Sequence, residues 1–245
     1  MGYDIISLDL DGTLVDSAAE ITEAANRALE SHGIARRPAD EVVRHIGHGT
    51  RELMLRLLAR AYLEQPALAD RVRVEPVLAS MDRHYAAAIG TAARPYEGAR
   101  SALQALQGAG VRLACVSNKD AHHARRVLQA CRLDRFFVVV IGGDSLPQKK
   151  PHAGVLRHVV EQLRGEPRRM AHVGDSAIDV EAAHNAGVAA WAVPYGYNGG
   201  VPVEAARPDR LFANLMVLAD YVIASRRRQS VPPGASLVDS GTAAG

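Results

Sequence analysis

The sequence predicts an α/β protein: a doubly wound parallel sheet, Rossmann-like in plan, with an α-helical cap inserted after its first strand. Three observations predict it. Short apolar runs recur along the chain, helical patterns separate the later ones, and residues 16–90 contain no convincing strand pattern. The expected strands are Ile5–Leu8, Val111–Val116, Phe137–Ile141, Met170–Val173 and Ala189–Val193. Several are nearly all apolar, as strands covered on both faces are. Helical spacing is expected over Gly98–Gly108, His122–Ala130, Ala153–Leu163 and Ala177–Ala186. Strand–helix alternation of this kind builds a parallel sheet with helices on both faces.

Residues 1–15 and 91–228 therefore form the expected core domain, and residues 16–90 the cap. Ser17-Ala18-Ala19-Glu20 has the form of a capping box. Ile21, Ala25, Ala28 and Leu29 follow on one helical face, and Gly33 ends the helix. Further cap helices are expected over Leu53–Leu63 and Val72–Tyr85. The tail, residues 229–245, is rich in Ser, Gly, Pro and Ala without hydrophobic patterning, and is expected to be disordered.

Bulk composition excludes some classes. Of 245 residues, 48% are hydrophobic and 23% charged, ordinary values for a globular chain. The formal net charge is only +2, the one tight basic run is Arg226-Arg227-Arg228, and aromatics are 4%, which argues against a direct nucleic-acid partner. No apolar run approaches the ~20 residues that span a bilayer, and no signal peptide is evident, so a cytoplasmic protein without membrane attachment is expected. Two cysteines, Cys115 and Cys131, fit a reducing compartment. The ten histidines invite a zinc reading, but His122, His123 and His152 stand apart from Cys or Glu at ligand spacing and are expected at the surface. No feature of the sequence fixes an oligomeric state.

The polar residues follow the strands. Asp9 and Asp11 end the first, Ser117-Asn118 the second, Gly142-Gly143-Asp144 and Lys149-Lys150-Pro151 follow the third, and Gly174-Asp175 ends the fourth, with Asp179 beyond. Loops at the carboxyl ends of parallel strands converge on one crevice. Such a pocket gathers carboxylates that need a counter-charge, and hard oxygen donors of this kind suit magnesium. A serine hydroxyl, a lysine and N–H groups of the Gly12-Thr13 turn could hold phosphate oxygens. A carboxylate can itself attack phosphorus.

At these residues the chain resembles the phosphatases of the haloacid dehalogenase superfamily with a helical cap. Asp9-Leu10-Asp11-Gly12-Thr13, Ser117, Lys150 before Pro151, and Gly174-Asp175-Ser176-Ala177-Ile178-Asp179 match the four family motifs in order. The resemblance implies that Asp9 is the nucleophile and a Mg2+ ligand. It implies that Asp11 protonates the leaving group, deprotonates water and touches the metal through its carbonyl. Ser117 and Lys150 would hold the phosphoryl group, Asp175 would complete the metal site, and Asp179 would support it. Gly12, Thr13 and Asn118 join the expected substrate-binding set.

Gly142-Gly143-Asp144-Ser145, Lys149-Lys150-Pro151-His152, Pro194-Tyr195-Gly196-Tyr197-Asn198 and the cap run Ile46-Gly47-His48-Gly49 are similar to bacterial phosphoglycolate phosphatases. The implied reaction converts 2-phosphoglycolate and water to glycolate and phosphate. Its substrate, a small phosphorylated metabolite, carries a carboxylate, for which Arg44 in the cap is the candidate cation. Rival readings are a phosphatase for another small phosphoester such as a sugar phosphate, a phosphomutase, and a non-catalytic binding protein. Dehalogenases and phosphonate hydrolases of this fold lack the second acidic residue of the first motif, so Asp11 argues against both.

Overall fold

A computed structural model describes residues 2–230; the tail expected to be disordered lies, from residue 231 onward, outside the described residues. The core is a six-stranded parallel sheet in the order β5-β4-β1-β6-β7-β8. Its strands are β1 (Ile5–Leu8), β4 (Arg112–Val116), β5 (Val139–Ile141), β6 (Met170–Gly174), β7 (Ala189–Ala192) and β8 (Arg210–Leu211). β1 lies between β4 and β6, with Leu8 opposite Cys115 and Val173. Side chains alternate between the two faces. Ile6, Leu8, Leu113, Cys115, Val173 and Trp191 enter one apolar core, and Ile5, Ala114, Val116, Met170 and Ala192 enter the other. Burial of both faces is why these strands read as continuous apolar runs instead of alternating ones.

Helices α6 (Ala99–Gly108), α7 (Ala121–Ala130) and α10 (Leu215–Ser230) cover the first face; α8 (Ala153–Gln162) and α9 (Ala177–Ala186) cover the second. The expected doubly wound sheet is thus observed. β8 was not anticipated: it is a two-residue edge strand paired to β7 through Trp191 and Ala192, too short to leave a periodic pattern.

Between β1 and β4 the chain leaves the core and returns to it. The two passages pair as a short antiparallel ribbon, β2 (Val15–Asp16) with β3 (Arg94–Pro95). Between them lie α1 (Ala18–Glu30), α2 (Ala39–Val43), α3 (Thr50–Glu64), α4 (Leu68–Arg71) and α5 (Val74–Ala88). These helices have an apolar core of their own, built on residues such as Ile21, Leu29, Leu53, Leu57, Val77 and Met81. Among the described residues, no helix is long and apolar enough to cross a membrane.

The capping box expected at Ser17 and Glu20 does not form. Ser17 makes no side-chain cap bond to α1. Its hydroxyl donates instead to Asp11 Oδ1 at 2.5 Å. Glu20 is 2% exposed, and its Oε1 accepts from Ala92 N at 2.8 Å and Ala93 N at 2.7 Å. Both side chains serve partners outside the helix: one reaches the end of β1, the other ties the returning passage to α1. Residues that carry a local capping pattern are captured here by stronger partners that tertiary structure supplies.

Glu20→Ala leaves two backbone donors, Ala92 and Ala93, without their acceptor. Uncompensated buried donors cost about 1–3 kcal/mol each. Ala93 is buried and Ala92 is exposed, so urea denaturation should show a loss of about 1–3 kcal/mol from the one buried donor; no measurable loss would show that the tie does not hold the passage.

Candidate active site

The site lies at the carboxyl ends of β1, β4 and β6. Asp9 and Asp11 follow β1, Ser117 to Lys119 follow β4, Lys150 stands in the loop after β5, and Asp175 follows β6. Asp179 is in the first turn of α9. All of these side chains are buried. One carboxylate oxygen each from Asp9, Asp175 and Asp179 lies within 4.8 Å of the others. Among the described residues, the cation that bridges the cluster is Lys150, with Nζ 2.8 Å from Asp9 Oδ1, 2.6 Å from Asp179 Oδ1 and 2.8 Å from the Val116 carbonyl. Lys150, not Lys149, therefore enters the site. Lys149 is exposed and donates to the His48 carbonyl of the cap at 2.6 Å.

The carboxylates are not alike. Burial, with repulsion from Asp179, pushes Asp9 up to about 6 despite Lys150. Burial, with repulsion from Asp179 and Asp9, raises Asp175 well above the ordinary carboxylate range. Asp179 is also buried, but Lys150 and His172 more than offset this and hold it low. Its Oδ1 lies 3.2 Å from His172 Nε2, and its Oδ2 accepts from Ser176 Oγ at 2.7 Å. The reciprocal box between Ser176 and Asp179 caps α9. Asp179 is thus the anchor of Lys150 as much as a candidate metal ligand.

This arrangement fits a divalent cation. Asp9 and Asp175 share a buried space with too little positive charge; burial first, and repulsion from neighbouring carboxylates after it, raise both pKa values. A hard cation between them would remove the repulsion. The Asp11 carboxylate belongs to a different group. Its Oδ1 lies 2.9 Å from Lys119 Nζ and accepts from Ser17 Oγ. Gly12 reverses the chain at φ +89, and a β-carbon there would collide with the Asp175 carboxylate. Only glycine meets both demands.

One of the expected phosphate contacts is corrected. The Gly12 N–H is used within the turn, donating to Val15 O at 3.0 Å. Thr13 is fully buried, and its hydroxyl donates to Asp175 Oδ1 at 2.9 Å. The turn serves to build the pocket wall and orient Asp175. Arg44 is corrected too: it is exposed, bonded to Asp40 Oδ2 at 2.7 Å on the same helical face, and does not line the cavity. A neighbouring carboxylate one turn away captures its guanidinium.

The cavity is lined by Asp9, Asp11, Ser117, Asn118 and Lys119 from the core, with the cap loop at residues 46–50 above them. The cap sits close. Asn118 Nδ2 donates to Gly47 O at 3.0 Å and to Lys150 O at 3.0 Å. Gly49, at φ +93, brings its backbone so near the Asn118 carbonyl that a β-carbon would lie 2.6 Å from it. Ser117 Oγ accepts from Lys119 N at 3.3 Å.

The sequence reading missed three residues. Lys119 is 3% exposed and bonds both Asp11 and the Tyr85 hydroxyl of α5, and so joins cap to site. Burial would discharge it, but Asp11 and Tyr85 raise its affinity for the proton. Tyr197 donates its N–H to Asp175 Oδ2, while its hydroxyl bonds Asp16 and accepts from Ser17 N at 2.9 Å. A Lys directly after Ser117-Asn118 was the available signal for the first. Tyr85 carried none, because only the fold of the cap brings it near.

A parallel sheet with a carboxylate cluster at its switch point and a helical cap above defines a capped, doubly wound α/β protein with a candidate cation site. The comparisons narrow this. The model of the haloacid dehalogenase-like hydrolases matches residues 3–187. The chain is 36% identical over 221 residues to a phosphoglycolate phosphatase of Vibrio vulnificus, covering 90% of this chain and 96% of that one. It is 38% identical over 221 residues to the plasmid-borne phosphoglycolate phosphatase of Cupriavidus necator, covering 90% and 94%. A crystal structure described as a predicted phosphoglycolate phosphatase from Haemophilus somnus superposes with a TM-score of 0.81 at 30% identity, covering 89% and 97%. The chain belongs to the haloacid dehalogenase-like hydrolases and resembles their phosphoglycolate phosphatase branch.

Asp175→Asn removes a buried repulsion and a candidate cation ligand together. In EDTA its Tm should equal or exceed that of the wild type. The Mg2+-dependent rise, worth about 2.7 kcal/mol at a hundred times Kd, should largely disappear. A variant still stabilised by Mg2+ as strongly as wild type would remove Asp175 from the cation site.

Proposed function

We propose that this protein hydrolyses small phosphomonoesters, 2-phosphoglycolate foremost, through a phosphoryl group carried on Asp9, with Mg2+ at Asp9 and Asp175. The observation that carries the reading is the placement of two differently partnered carboxylates, Asp9 and Asp11, in one cavity under the cap loop. Asp9 belongs to the cluster bridged by Lys150, while Asp11 is held apart by Lys119 and Ser17.

Asp9 carries the attacking oxygen. The phosphorus–oxygen bond to the substrate's alcohol breaks as the Asp9–phosphorus bond forms, and Asp11 supplies the proton to the departing alkoxide. In the second half, Asp11 takes a proton from the water that attacks phosphorus, and Asp9 is released with inorganic phosphate. Asp9 and Asp175, with the Asp11 carbonyl and Asp179 in support, would hold Mg2+, which would supply charge stabilisation for the phosphoryl oxygens. Ser117 donates to a phosphoryl oxygen, and Lys150 offsets the charge on Asp9. Ser17 and Lys119 fix the orientation of Asp11, and the cap loop keeps bulk water from the acyl phosphate.

The tightness of the lid supports a small substrate: the cap loop already touches Asn118. Because Arg44 points elsewhere, the glycolate carboxylate is assigned to Lys119 and the N-terminal N–H groups of α3 at Thr50, which line the same cavity.

Asp9→Asn should abolish turnover and the trapped phosphoenzyme. Asp11→Asn should lower kcat by about 10²–10⁴ for alkyl phosphates, and by much less for aryl phosphates with good leaving groups. Equal losses for both would deny Asp11 its proton. Lys119→Met should raise KM for phosphoglycolate relative to an aryl phosphate, whereas Arg44→Ala should leave both unchanged. In a panel of phosphoesters ranked by kcat/KM, a sugar phosphate ahead of phosphoglycolate by tenfold would overturn the substrate assignment.

A further inference from the structure

Outside the catalytic cavity, the seam between cap and core holds a second group of ligand-type side chains. Asp82 belongs to α5 of the cap; His122 and His123 occupy the first turn of α7 in the core. Asp82 Oδ1 lies 3.4 Å from His123 Nε2 and 3.6 Å from His122 Nε2, and one donor atom from each residue falls within 4.8 Å of the others. Metal–ligand bonds of about 2.0–2.1 Å arranged as a tetrahedron place donors about 3.4 Å apart. The two measured separations already match, and His122, 56% exposed, can turn to close the third.

His123 supplies an independent observation. The residue is 1% exposed, yet neither ring nitrogen has a hydrogen-bond partner; the Asp82 contact is close but out of line for one. A buried imidazole without partners is costly. Its ring is wedged edge-on against Tyr85, centroids 5.0 Å apart, so it cannot turn to water. The surface placement expected for His122 and His123 holds for the first and is corrected for the second, which is buried; Asp82 stands forty residues before His122 and joins the pair only through packing of the cap.

We infer that Asp82, His122 and His123 bind a d-block divalent cation of the zinc class, which clasps the cap to the core. Two imidazoles and one carboxylate, with the remaining positions open to solvent beside Asp82 and His122, suit such an ion and do not suit Mg2+. The position gives the clasp a consequence. Tyr85 lies one turn beyond Asp82 on α5 and bonds Lys119, which holds Asp11. A cation that pins Asp82 to α7 therefore steadies the cap helix that reaches the catalytic acid. This inference does not depend on which phosphoester is the substrate.

The test uses the full chain with saturating Mg2+ to fill the carboxylate site. Titration with Co2+ should give the intense visible bands of a four- or five-coordinate ion with nitrogen ligands. Zn2+, measured by competition with a chromophoric chelator, should bind wild type at least tenfold more tightly than Asp82→Ala or His122→Ala. Both replaced side chains are exposed, and matching Tm values in EDTA would confirm that the folds are kept. Zn2+ should also slow hydrogen exchange of α5 amides in wild type and not in the variants. Equal Zn2+ affinity in wild type and variants, or only the weak spectrum of six-coordinate oxygen-ligated Co2+, would overturn the site. Binding without added protection of α5 would overturn the clasp.

Discussion

Three carboxylates, Asp9 and Asp175 at the ends of adjacent strands and Asp179 in the first turn of α9, are buried within a few ångströms of one another. The rest of the site is organised around neutralising them. Lys150 reaches in from the loop after β5, with one ammonium against both Asp9 and Asp179. Its own burial would favour loss of the proton; the two carboxylates reverse that. His172 and Ser7 form a buried line behind Asp179, with Ser7 Oγ 2.8 Å from His172 Nδ1, so the anchor of the lysine is itself held from within the sheet. What remains uncompensated is charge on Asp9 and Asp175, at the place where a cation and a phosphoryl group would meet. The cost of unscreened buried charge thus becomes the binding capacity of the pocket.

Asp11 escapes this cluster through a separate set of contacts. Ser17 comes from the start of the cap, Lys119 from the end of β4, and Tyr85 from the last turns of α5. The cap is therefore connected to the proposed acid by side chains as well as by the β2–β3 ribbon. The orientation of Asp11 and the position of the cap are two views of one network. The same seam carries Asp82, His122 and His123, so that a cation there would act on an element already linked to the chemistry.

The two kinds of contact differ in how far they reach along the chain. Much was legible in the sequence: the five principal strands, the helical insertion, and the polar residues that end β1, β4 and β6. These follow from local rules. Buried parallel strands must be apolar throughout, and parallel connections must deliver their loops to one edge. The choice of Lys150 over Lys149 was legible only through the family motif, since two adjacent lysines offer no local distinction. Ser17 and Glu20 were misread for a related reason. Their spacing is that of a capping box, but a helix N-terminus on its own can offer them less than Asp11 and the backbone of Ala92 and Ala93 do. Arg44 was misread because a sequence shows a charge and not its nearest opposite charge, Asp40.

By itself the sequence determined the layered fold and the identity of the groups at its switch point, because hydrophobic period and strand order are properties of contiguous segments. The tertiary structure alone decided which charges face one another. It paired Lys119 with Asp11, turned Thr13 and Tyr197 onto Asp175, set the cap loop against Asn118, and brought Asp82 to His122 and His123. Electrostatic and hydrogen-bond partners are chosen by distance in space, and for a capped protein that distance is set by how two separately cored units come together.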